Sequence, residues 1–302
     1  MQTSLLKTVL LILFLICISL FGYTNTLSQV PFDGLGTEVS PYLLKSRDDI
    51  HLLADSVNAG SSNFLDKHYR LENDIIDPPV TKVIGIGYLN YCPHPFRGHF
   101  DGQGHIIHLA INEPTINYVG LFGAIYTGST LKNIEVTGYV NGNGHVGGIA
   151  GETSNRNLKI INCINTAKIT GYGTVGGICG RFLDGNIENC INTGTIEGYG
   201  TVGGICGYFG GNNGGSMINC TNYGLIKATG IAGGIWGNTS PSYYGTNVIN
   251  NCVNFGIVII GEGIENLERF GCLGYNSHQS TQMSKATITN CHYDKQLCGA
   301  KE

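Results

Sequence analysis

Acidic residues are few in the repetitive half of this chain, and their spacing is the first test of chemistry. Between positions 119 and 275 they are Glu135, Glu152, Asp184, Glu188, Glu197, Glu262, Glu265 and Glu268. Glycoside hydrolysis usually needs two carboxylates facing each other across the scissile bond. No aspartate pair recurs here, and no arginine or lysine is expected in register beside Glu135 or Glu197. A carbohydrate-active enzyme, lyase-like or glycosidase-like, is the alternative reading rather than the expected one. His94, His99, His105 and His108 stand near Cys92, but their spacing matches no zinc finger or ribbon. None of the nine histidines precedes a glutamate, so the His-Glu-x-x-His pattern of metallopeptidases is absent. The sequence therefore predicts no catalytic residue, no metal and no cofactor. Asp101, followed by glycine, reads as a turn builder.

The other side chains suited to chemistry are aromatic and amide groups, which recognise rather than react. Gly171-Tyr-Gly-Thr174 and Gly198-Tyr-Gly-Thr201 are identical and 27 residues apart. Tyr172 and Tyr199 should project from one edge, with Asn143 and Thr229 in the same place one repeat to either side. Aromatic faces beside polar donors can stack on sugar rings and hold their oxygens; shielding a glycine-rich corner is the plainer role. Phe182, Tyr208, Phe209, Trp236, Tyr243 and Tyr244 fall in or beside variable segments, where recognition would vary. Trp236 joins the candidate binding set.

These side chains must be positioned by a repeat. Val119-Gly-Leu-Phe-Gly123 is followed by near-copies starting at Val146, Val175, Val202 and Ala232, at spacings of 27, 29, 27 and 30 residues, and by a decayed copy at Phe270. Fixed periods of this length mark a solenoid. A second pattern, Ile-x-Asn-Cys-x-Asn-x-Gly-x-Ile, starts at Ile160 (shifted by one), Ile187, Met217 and Ile249. Helix formers are sparse, and glycine, at 46 of 302 residues, is about twice its usual frequency without a collagen period. The expected fold is all-β: a right-handed parallel β-helix of about six coils with a mixed α/β N-terminal cap.

In Ile187-Glu-Asn-Cys190, strict alternation would set Ile187 and Cys190 on opposite faces. A left-handed bend at Asn189, which asparagine tolerates, turns both inward. The same bend is expected at Asn162, Asn219, Asn251 and Asn290. In register, these asparagines can form a hydrogen-bonded ladder, and Asn165, Asn192, Asn222 and Asn254 a second one. Cys163, Cys190, Cys220 and Cys252 share one repeat position with Cys291. In-register side chains point the same way, which strains a disulfide, so reduced ladders are favoured over bridges. Cys291 and Cys298 could instead close a small loop.

Residues 1–22 read as a signal peptide: Lys7 precedes the apolar run Val9 to Phe21, which is short for a membrane span. The exported chain should then have no stable span. With 17 basic and 21 acidic residues, a net charge of −4 and no basic stripe, nucleic acid is not an expected partner. Residues 30–118 form the cap and first coils, with a helix from Ser46 to Ala59 and short strands at Val83 to Ile86 and His105 to Ile111. Residues 119–293 hold the repeats, and 294–302 a tail.

Val119-Gly-Leu-Phe-Gly123 resembles the motif that names the GLUG-motif repeat proteins. The approach to it is similar as well: Ser40-Pro-Tyr-Leu-Leu44, Asp49-Ile-His-Leu-Leu53, His68-Tyr-Arg-Leu71, Asn73-Asp-Ile75 and Phe96-Arg-Gly-His-Phe-Asp-Gly-Gln-Gly-His105. The resemblance covers roughly residues 34–293. It implies an exported bacterial surface protein, an extracellular β-solenoid with adhesin-like use, and no general catalytic residues. Long members carry further modules, some beside IgA-specific metallopeptidases; this chain reads as a shortened relative. The expected function is non-enzymatic adhesion or recognition at the cell surface, of an extracellular glycan or a surface protein. A passive spacer is the remaining alternative.

Overall fold

The computed structural model describes residues 32–87, 93–126, 128–153, 157–211, 213–239, 246–261, 270–271, 273–276 and 287–293. The signal-like segment, the tail 294–302, Tyr243 and Tyr244 lie outside the described residues. Gly34 to Glu302 form one unit, separate from Met1–Asp33.

One coil explains the rest. Strand Gly185–Glu188 ends at Asn189, whose φ of 54° turns the chain in the left-handed region. Strand Ile191–Asn192 follows, then Ile196–Gly198, Thr201–Gly203 and Cys206–Phe209. Each strand pairs in parallel with its counterparts one coil away, Ile187 with Ile160 and Met217 for example. The result is a parallel β-solenoid of about seven turns. Its stacked strands make one nine-stranded sheet, one twelve-stranded sheet and two six-stranded sheets.

The count exceeds six because the N-terminal region already coils. Strands Tyr42–Leu44, His68–Leu71 and His99–Asp101 open the nine-stranded sheet. Helix α1 (Arg47–Asn58) starts at Ser46, where a capping box with Asp49 satisfies the first amides, and buries Ile50, Leu53, Ala54 and Val57. The run at Val83 to Ile86 is not a strand. Only Ile84 bridges, to Phe122, while Ile75–Val80 pairs with Ile106–Glu113.

Left-handed bends stand at Asn133, Asn162, Asn189, Asn219, Asn251 and Asn290, all with φ between 50° and 55°. They place Ile187 and Cys190 together in the core, both fully buried, as are Ile160, Met217 and Ile249 at the matching positions. Each such side chain removed from water contributes about 1.5–3 kcal/mol. The paired glycines of the Val-Gly-Gly motif have a packing cause. A Cβ on Gly177 would stand 2.3 Å from the Gly204 carbonyl oxygen and 2.5 Å from the Asn192 amide carbon.

Candidate functional site

Tyr172 and Tyr199 follow the strands that end at Gly171 and Gly198, which are paired in register. Their rings stack with centroids 4.8 Å apart and planes 9° from parallel. They are 56% and 58% exposed, so this corner is open. The stack occupies the facing sides of the two rings. The outer face of Tyr172 looks toward Asn143, whose carbonyl accepts the Tyr172 amide. The outer face of Tyr199 looks toward Thr229, whose hydroxyl donates to the Tyr199 carbonyl at 3.2 Å. Beyond Thr229 stands Gly261, bonded to Ala228 through its amide. A second exposed pair, Tyr223 and Phe255, stacks at 5.3 Å on the turn of the twelve-stranded sheet.

Trp236 does not belong to this set. Its side chain is only 2% exposed, and a Cβ on Gly274 in the next coil would meet its indole at 2.0 Å. The tryptophan fills a core position in register with Cys206. Phe182 and Phe209 are buried for the same reason, pointing inward from paired strands.

Both asparagine ladders exist, and they run in opposite senses. In the exposed one, Asn162, Asn189, Asn219 and Asn251 each donate Nδ2 to Oδ1 of the residue one coil earlier, at 3.0 to 3.2 Å. Asn133 continues it and donates to Asp101 at 2.9 Å. Asp101 also receives the Gln103 amide and Lys132, so the turn aspartate caps the ladder. Burial opposes its ionisation, but these donors outweigh burial and hold the carboxyl below its usual range. In the buried ladder, Asn165, Asn192 and Asn222 donate one coil forward at 2.7 to 2.8 Å, and each also reaches the carbonyl two residues on. Cys163, Cys190, Cys220 and Cys252 are free and buried. Their thiols lie 3.3 to 3.5 Å from the carbonyl two residues back. Burial pushes the Cys190 and Cys220 thiols far above the usual range, so these sulfurs are inert fillers.

The acids are better partnered than their spacing suggested. Glu197 bridges Lys168 at 2.8 Å and Lys227 at 3.2 Å, one from each neighbouring coil. Glu152 is buried and contacts His145 Nε2 at 3.2 Å and Arg181 at 3.4 Å. His145 Nδ1 lies 2.6 Å from the Thr174 hydroxyl, its ring stacks on Tyr118, and Arg181 lies over Tyr208. A neutral imidazole protonated on Nε2 satisfies both contacts, donating to Glu152 and accepting from Thr174. Burial first, then Arg181, drives His145 down to about 4, while burial raises Glu152. Among the described residues no group of three or more His, Cys, Asp or Glu side chains could hold a metal ion.

No family model matches the chain. It is 32% identical over 159 residues to halomucin of Haloquadratum walsbyi, covering 49% of this chain and 2% of that protein. It is 29% identical over 117 residues to a provisionally named Gly-rich membrane protein of Evansella cellulosilytica, covering 37% of this chain and 12% of that protein. The chain thus spans a small part of the length of the curated relatives it matches. Among solved structures, a candidate immunoglobulin A1 protease from Bacteroides ovatus superposes with a TM-score of 0.62 at 19% identity over 86% of each chain. At that identity the likeness concerns the fold alone. No helix among the described residues is long and apolar enough to cross a membrane.

Sequence spacing located the tyrosine corner and both ladders. It missed the Glu152–His145–Arg181 cluster. The signal was available: His145 aligns with Thr174, and Glu152 with Arg181, on strands that the repeat itself sets side by side.

Proposed function

We propose that this chain is an exported recognition module of the cell surface that binds an extracellular glycan at the Tyr172–Tyr199 corner. The observation that carries this reading is the near-parallel tyrosine stack, both of whose members are more than half exposed. Adjoining exposed aromatic side chains form a contiguous apolar patch rather than scattered single residues, and such patches mark interaction sites. Pyranose rings present a C–H face to an aromatic ring and hydroxyls to its polar neighbours. Asn143 and Thr229 are those neighbours here. The local similarity to halomucin and to a Gly-rich membrane protein supports a place outside the cell.

The test is binding of the exported chain to an immobilised panel of host and microbial glycans. A selective hit that weakens when Tyr172 and Tyr199 are both replaced by alanine is the expected result. Absence of binding across the panel would remove glycans as the ligand class, leaving a surface protein or a passive spacer.

A further inference from the structure

The outer surface of the nine-stranded sheet carries a cleft that the tyrosine corner does not touch. It has a volume of about 500 Å³ near the N-terminal coils and is lined by Glu38, His68, Arg70, His99, Asp101 and Lys132, together with Gln103 and Thr130. That volume falls within the range of small-molecule sites. His68 and His99 are register partners on adjacent strands, and their rings stack at 4.3 Å with planes 24° from parallel. Neither imidazole makes a side-chain hydrogen bond among the described residues. Arg70 uses Nε for Glu72 at 2.8 Å, and its two terminal nitrogens have no hydrogen-bond partner among the described residues. Lys132 reaches Asp101 at 3.0 Å. The side chains of Gln103, Thr130 and Glu38 have no hydrogen-bond partner among the described residues.

This combination selects a ligand by its chemistry. The free edge of a guanidinium matches a carboxylate in a two-pronged contact. Glu38 and Asp101 in the lining disfavour a multiply charged phosphate and welcome hydroxyl donors. The stacked imidazoles supply ring edges and ring nitrogens. One negative charge and several hydroxyls on a ring-shaped body describe an acidic sugar. We infer that this cleft binds the carboxylate-bearing residue of an acidic glycan, with Arg70 holding the carboxylate and the His68–His99 stack supporting the ring.

The same sheet extends the surface. His68, His99, Thr130, Lys159, Asn186 and Ser216 occupy one outward column of successive strands. A second cleft of about 760 Å³ opens at Lys159, Asn186 and Ser216. Strands advance about 4.8 Å each along the column, so an oligosaccharide lying along the axis can pass from one cleft to the other.

The inference does not depend on the tyrosine corner, and the experiment separates the two. The full exported chain is titrated calorimetrically with trigalacturonate against neutral trigalactose, and with sialyllactose against lactose, so that uronate and sialate sources are distinguished. The expected result is that at least one acidic glycan binds about tenfold or more tightly than its neutral counterpart. Arg70→Met should abolish that preference, Arg70→Lys should reduce it, and the Tyr172/Tyr199 double alanine should leave it intact. Thermal melting verifies that each variant is folded; His99→Asn provides an independent change within the cleft and should also weaken acidic binding. Equal affinity for acidic and neutral partners, no binding of either, or a preference that survives both Arg70→Lys and His99→Asn would overturn the proposal. Loss of the preference in the tyrosine variant would assign acidic binding to the corner and overturn it as well.

Discussion

Asparagine has two different jobs in this protein, separated by three residues. Asn189 is exposed and sits at φ 54°, where its value is mainly conformational. Asn192 is fully buried, donates to Asn222 and to the Gly194 carbonyl, and accepts from Asn165. Asn189→Gly should therefore change stability by no more than about 1 kcal/mol, since glycine adopts the same bend. Asn192→Ala leaves buried partners unsatisfied on both sides and should cost about 2–4 kcal/mol. Urea denaturation of both variants measures the contrast; equal losses would mean the buried ladder is not a stabilising element. His145 supports a pH prediction. Its folded pKa, about 4, lies below the ordinary value of 6.5, so the unfolded chain binds more protons between those limits. The stability this group contributes is complete above pH 6.5 and is lost as pH falls toward 4, by on the order of 3 kcal/mol. Glu152, raised by burial, acts in the opposite sense: its ionisation costs stability as pH rises through its folded pKa. His145→Gln keeps polar contacts without titrating, so its stability should vary less between pH 4 and 6.5 than that of the parent.

At the level of elements, the glycine motif is a device for backbone proximity. Gly180 lies on strand Cys179–Phe182, and a Cβ there would be 2.4 Å from the Val146 amide nitrogen and 2.7 Å from the Gly151 carbonyl oxygen. Both atoms are backbone of the preceding coil and cannot move without shifting that coil. Gly180→Ala is thus expected to lower stability by about 1–3 kcal/mol or more. The helix that opens the unit is less sensitive. Ser46→Ala removes the cap of α1 but leaves its buried face in place, at a cost of about 1 kcal/mol. Parallel measurement of melting temperatures ranks the two, and a larger drop for Ser46→Ala would contradict the proximity argument.

The whole molecule is a stack in which every coil is the template for the next. Its core is continuous from Leu44 through Leu71, Phe100, Leu131, Ile160, Ile187, Met217 and Ile249, all nearly or fully buried. A charge introduced in the middle interrupts it for coils on both sides. Ile205 is fully buried and receives the Ile178 and Cys179 amides on its carbonyl, so its side chain faces the interior from the central coils. Ile205→Asp should collapse the solenoid, with a loss above about 4 kcal/mol and disappearance of the cooperative transition. An unchanged melting temperature would refute the inward assignment.

Much of this architecture was legible in the residues themselves. A period of 27 to 30 residues can be satisfied only by stacking like on like, so equivalent positions must become neighbours. From that alone follow the parallel strands, the asparagine bends, both ladders, the free cysteine column and the tyrosine pair. Local periodicity says nothing, however, about which outward columns from different sheets converge, because that depends on how sharply each coil turns. Glu152 meets His145 across such a turn, and Glu38, outside the strands, joins His68, Arg70 and Lys132 of the nine-stranded sheet in lining a cleft. Trp236 shows the same limit from the other side: it occupies the place of a core cysteine, and only the packing of the next coil against it decided that it is buried.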